Sequence, residues 1–234
     1  MKMKDKKADQ TVKRKKHLEN LKKSRRDEPI LDRNEPSKLE KPTILIVCEG
    51  KNTEPSYFRQ FKLSTATIKP IGEGYNTVSL VNRAKQLSEE RTYEQVWCVF
   101  DKDDFSNTDF NNAVQIAEAN NFGVAYSNQA FEYCIILHFN DHQGGGMNRN
   151  DYDDKINELL KDFGITYDGK SSKIITDEIF ELLEGIDTKI NKVRRDLAIE
   201  RAKRNDAFFD HTNYAEEESS TTVFKLVEEL IKYI

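Results

Sequence analysis

Three aspartates stand within four positions at the end of an apolar run: Asp101, Asp103 and Asp104 close "QVWCVFDKDD". A second apolar run, "TILIVCEG", closes on Glu49 and Gly50. Carboxylates crowded together raise one another's pKa, and a hard divalent cation removes that repulsion. Mg²⁺ typically takes one or two carboxylates and fills its shell with water and substrate phosphate. The chemistry this spacing suggests is therefore metal-dependent work on phosphodiesters, with Glu49, Asp101 and Asp103 around the ion. In extended backbone, residues two apart share a face. Asp101 and Asp103 then point together, and Asp104 points away. Asp-rich strand ends also form turns and helix caps. What favours the metal is the pairing of Glu-Gly on one run with Asp-x-Asp on another.

For these acids to meet, the two runs must be adjacent strands, each ending at the same edge of a sheet. Both are continuously apolar, as strands buried on two faces are. "FGVAYSN" is a third such strand and "TIKPI" a short one, whose proline suits an edge. Between them, "TEPSYFRQFK", "TVSLVNRAKQLSEER" and "TDFNNAVQIAEANN" read as helices, the first with Thr53 near its N-cap and Pro55 in its first turn. "AFEYCIILHF" is too long for a typical strand and reads as a buried helix. Strand–helix alternation over residues 43–140 predicts an α/β fold, a mostly parallel sheet flanked by helices. In such sheets ligands collect outside the carboxyl ends of the strands, where Glu49 and Asp101 fall. "DHQGGGMNRN" reads as a loop. Helices are expected at about 151–162, 173–205 with a break near Gly185, and 220–233, giving a helical C-terminal part from about residue 150.

The 234 residues allow one large domain or two small ones, and 37% of them are apolar, enough for a core. The net charge of −4 conceals a division. Residues 1–41 hold 15 Lys+Arg against 8 Asp+Glu, a net of +7, and the remainder holds 22 against 33, a net of −11. A basic tail, flexible or helical, on an acidic body from residue 42 is consistent with a polyanion partner; a solvated tail with no partner fits equally. No run approaches the roughly 18 apolar residues of a membrane span, and no apolar signal segment opens the chain. Cys48, Cys98 and Cys134 lie apart in apolar runs, as buried thiols of a cytoplasmic protein would.

"ILIVCEGKNTEPSYF", "VWCVFDKDD" and "SNQAFEYCIILHF" resemble the three blocks of the RloB-like proteins, which in turn resemble the Toprim group of topoisomerases, DnaG-type primases and OLD-family nucleases. The resemblance is best over about residues 42–140, with "STTVFKLVEEL" matching the end of such chains. It implies a Toprim-like fold and a Mg²⁺- or Mn²⁺-dependent nuclease. Glu49 would be a metal ligand or general acid/base, and Asp101 and Asp103 would hold the ion. Glu54 corresponds to the second glutamate of the OLD-like block, although "EGKNTE" is one residue longer, and is either a further ligand or a first-turn helix acid. Glu132 would complete a second metal site or serve as a helix acid. Lys51 and Lys102 would meet substrate phosphate or simply offset local charge. His138, about 120° around the helix from Glu132, is either a substrate contact or a core histidine.

The chain has no "GxxxxGK[ST]" motif. By resemblance, an ATPase would be a separate subunit, and the setting would be anti-phage defence through abortive infection. The competing reading is a non-catalytic metal- and nucleic-acid-binding regulatory subunit of such an ATPase complex. Strand passage lacks its tyrosine domain here, and primer synthesis lacks its usual zinc cysteines.

Overall fold

The computed structural model describes residues 11–20, 41–70, 77–102 and 106–234. Residues 71–76, Asp103 and Asp104, and most of the basic tail lie outside the described residues. The chain divides into two units, Met1–Leu39 and Glu40–Ile234. In the first, residues 11–20 form helix α1, exposed along its whole length.

The second unit is built on β1 (Ile44–Cys48), β2 (Ala66–Pro70), β3 (Gln95–Asp101) and β4 (Gly123–Asn128), all parallel, and β7 (Ser220–Thr221), antiparallel to β4. Their order across the sheet is β2-β1-β3-β4-β7. β2, with Pro70 as its last residue, occupies an edge, where the missing N–H costs no ladder bond. The whole of β1 is buried because both of its faces are covered. Ile44, Ile46 and Cys48 face a layer that includes α2 (Thr53–Arg59), α5 (Glu132–Phe139), α6 (Tyr152–Leu160), α7 (Asp177–Glu184), α8 (Arg194–Asp206) and α9 (Val223–Ile231). Leu45 and Val47 face α3 (Thr77–Glu90) and α4 (Asn107–Ala119). Each such side chain contributes roughly 1.5–3 kcal/mol by leaving water. The C-terminal helices share the core of the sheet, since Ile156, Leu183 and Val227 pack in the same apolar mass as Ile46. Among the described residues no helix is long and apolar enough to cross a membrane.

Two expectations are corrected. Within 173–205 the break expected near Gly185 is where α7 stops, but the helix does not simply resume: a hairpin of β5 (Ile186–Asp187) and β6 (Lys192–Val193) intervenes before α8. The Asp187 carboxylate accepts the N–H groups of Lys189 and Ile190, and Asn191 takes φ +56°, a local turn that competes with helix. Residues 220–233 likewise are not wholly helical. Ser220 and Thr221 pair with Asn128 and Ser127 as β7 before α9 begins, so the parallel sheet carries one antiparallel edge.

Candidate functional site

β1 and β3 are neighbours, with Cys48 opposite Val99. The Glu49 N–H continues the ladder to the Val99 carbonyl at 2.9 Å, and the Glu49 carboxylate turns back to accept the Asp101 N–H at 3.1 Å. The two acids that end separate strands are thereby held side by side. Alternation along β3 sends Val99 to the α2/α5 face and Phe100 to the other, so Asp101 points to the α2/α5 face. There the first turns of α2 and α5 each offer a glutamate, Glu54 and Glu132.

Glu54 is 5% exposed and accepts the Gly50 N–H at 3.2 Å. A Cβ on residue 50 would lie 2.2 Å from Glu54 Oε2, so the second half of the Glu-Gly pair exists to let this carboxylate approach the backbone. Burial raises the Glu54 pKa to about 7, and Glu132 pushes it the same way, while backbone N–H groups and Lys173 pull it down. Asp101 is held well above the usual carboxylate range, first by burial, then by Glu54 and Glu132, with a smaller push from Glu49; Arg149 acts in the opposite sense. Its Oδ1 is enclosed and accepts no hydrogen bond. A buried carboxylate oxygen without a donor costs free energy unless a cation meets it.

The far side of the group is fixed by the segment after α6. Asn157 brackets Tyr167 through its backbone, accepting the N–H at 2.8 Å and donating to the carbonyl at 2.9 Å. The Tyr167 hydroxyl then donates to Glu132 at 2.9 Å and lies 3.3 Å from Thr53 Oγ1. Thr53 is thus the first residue of α2 and a partner of Tyr167, and Asn52 holds the N-cap position without a side-chain bond. The Arg149 backbone is placed by Gln129, whose side-chain amide oxygen accepts its N–H at 3.1 Å.

Of the residues singled out from sequence, the fold brings Glu49, Glu54, Asp101 and Glu132 together. Lys51 is exposed and Lys102 half-buried beside them; Asp103 is outside the described residues. His138 is elsewhere. It is 1% exposed, its Nδ1 is 2.9 Å from the Cys134 carbonyl oxygen, and it lines a small pocket with Tyr57, Leu137, Ala198 and Phe224. Burial lowers its pKa to about 4. Sequence reasoning missed Tyr167, Arg149 and Lys173. Tyr167 and Lys173 lie on loops and Arg149 opens a short 3-10 turn, all distant in the chain, and nothing in their local pattern points to the strand ends.

An all-oxygen donor set with an unsatisfied buried oxygen fits a hard divalent cation such as Mg²⁺ or Mn²⁺. In comparisons with known proteins, a family model described as RloB-like protein matches residues 44–230. No curated protein and no solved structure matches.

Proposed function

The chain belongs to the RloB-like protein family, and from that premise we propose that it is a Mg²⁺- or Mn²⁺-dependent nuclease of Toprim type that cuts phosphodiester bonds in nucleic acid. The observation that carries the reading is the convergence of Glu49 on Asp101, whose enclosed Oδ1 lacks a donor while Glu54 and Glu132 add negative potential. Glu49 and Asp101, with Asp103, would hold the ion, and Glu54 and Glu132 would hold a second. A divalent cation there supplies Lewis acidity at the scissile phosphate and acidifies a bound water. Glu54, titrating near neutrality, can keep a proton or release one at working pH. Tyr167 orients Glu132. Lys51 and Lys102 would meet the flanking phosphates. The family resemblance supports a role as a cytoplasmic effector of anti-phage defence that works with a separate ATPase subunit.

The test is cleavage of single- and double-stranded DNA and RNA with Mg²⁺ or Mn²⁺, by the parent chain and by Glu49→Gln and Asp101→Asn. Metal-mediated charge stabilisation is worth several kcal/mol, so each variant should lose at least about 1,000-fold in rate. Cleavage at the parental rate in both variants would overturn the proposal.

A further inference from the structure

A second polar group lies where α8 ends and the chain runs toward β7. Asp206 closes α8, His211 stands on the following loop with φ +57°, and Glu217 precedes β7. One ligand atom from each of the three lies within 4.8 Å of the others. His211 Nδ1 is 3.0 Å from Glu217 Oε1, and its Nε2 is 4.0 Å from Asp206 Oδ2.

Both acids are deeply placed, Glu217 at 3% and Asp206 at 8% exposure. Glu217 has a fixed orientation, because its Oε2 accepts the Tyr126 hydroxyl at 2.5 Å. Asp206 is different. Its Oδ1 is enclosed and accepts no hydrogen bond, and its Oδ2 has only Lys225 Nζ at 3.7 Å and His211 at 4.0 Å, both beyond hydrogen-bond range. An enclosed carboxylate oxygen that receives no donor is an unfilled coordination position or a strained one.

We propose that Asp206, His211 and Glu217 form a site for a divalent cation of the Zn²⁺ class, separate from the strand-end carboxylates and independent of the nuclease reading. An imidazole with two carboxylates suits Zn²⁺, which accepts nitrogen and oxygen donors at about 2.0–2.2 Å, with water in the remaining position. Mg²⁺ prefers an all-oxygen shell. The Tyr126 hydroxyl on Glu217 is the kind of outer hydrogen bond that orients a metal-bound carboxylate. The His211 ring lies nearly parallel to that of Tyr214, at 21° and 6.1 Å, which limits its rotation. Tetrahedral donors on such an ion sit about 3.5 Å apart, so the group closes by about 1 Å when it binds. The closure falls on the loop that carries His211. The ion would tie the end of α8 to the residues entering β7; Thr221 of that strand and Thr222 just after it bond to Ser127 and Tyr126 of β4.

The experiment uses the full chain with Glu49→Gln and Asp101→Asn, so that the strand ends do not compete. Zn²⁺ uptake is measured by calorimetry and by elemental analysis after dialysis, and unfolding is followed with and without Zn²⁺. About one retained equivalent is expected, with a rise in Tm of about 5 °C at 100-fold excess over Kd. Adding His211→Ala or His211→Gln should lower affinity at least about tenfold and abolish the rise. Lys225→Ala, which removes a competing cation, should tighten binding. No uptake by the starting chain, or equal uptake after both His211 substitutions, would overturn the proposal; the first result would mean that His211 and Lys225 alone neutralise the two acids.

Discussion

Helix α5 carries a titratable group at each end, and the two meet opposite surroundings. Glu132, in its first turn, reaches Tyr167 and joins three other carboxylates at the strand ends. His138, six residues on, lines a small pocket and leans on its own helix through the Cys134 carbonyl. Desolvation acts on both places with opposite sign, raising the carboxyl groups and lowering the imidazole. The difference lies in what each place leaves unanswered. At the carboxylate end, like charges face one another around an oxygen with no donor, which invites a cation. At the histidine end, Nε2 is likewise enclosed without a hydrogen-bond partner, but the charges acting on the ring are the cations Arg201 and Arg195, which with burial keep it neutral and repel a metal ion. Burial of a titratable side chain is therefore not itself a sign of a site; the sign is uncompensated charge among converging partners.

The comparison breaks most sharply on activity. Asp101→Asn should cost about 1,000-fold or more in cleavage rate, whereas His138→Gln, measured per folded molecule, should stay within about threefold of the parent. A loss at His138 comparable to that at Asp101 would place the histidine in the reaction and end the distinction.

Stability against pH tests it next. His138 titrates near 4 folded and 6.5 unfolded, so between those values the unfolded chain binds more protons. Stability is lost as pH falls through that window, by about 3 kcal/mol for a shift of this size. Glu54 works in reverse. Its pKa is raised from 4.5 to about 7, so in the absence of metal the folded chain holds the extra proton and stability is lost as pH rises through that window. Urea unfolding across pH 4–8 should show both slopes. His138→Leu should flatten the acid side, and Glu54→Gln, or added Mg²⁺, the neutral side. A neutral-side slope untouched by either would mean that the carboxylates are not a coupled, cation-seeking group.

The smallest effect concerns Tyr167. Removing its hydroxyl with Tyr167→Phe takes a hydrogen bond from Glu132 and leaves Asp101 untouched. Mn²⁺ affinity, read by calorimetry, should fall about tenfold, with a stability change of only about 1 kcal/mol. Unchanged affinity would remove Tyr167 from the site and reduce it to packing.

The apolar runs made β1, β3 and β4 legible, because a strand covered on both faces has no polar position to interrupt it. α3, α4 and α5 were legible from period and length. The β5–β6 hairpin was not, since its strands are two residues each and its turn rests on one Asp187 side chain. The acids of the candidate site announced themselves by standing at the ends of apolar runs. Tyr167 and Arg149 carry no such mark: their meaning comes from segments that a local reading treats as connection.

What the chain determined alone is the list of acids, the strands and helix turns that present them, and the family to which the pattern belongs. Side-chain period and burial are local properties, written within a dozen residues. What the tertiary structure decided is adjacency: that β1 lies against β3 so that Glu49 meets the Asp101 N–H, that Gly50 leaves room for Glu54, and that His138 turns inward while Glu132 turns to the cluster. Strand order and helix packing follow from how the whole apolar surface closes, and the long-range pairs that result leave no period in the sequence to be read.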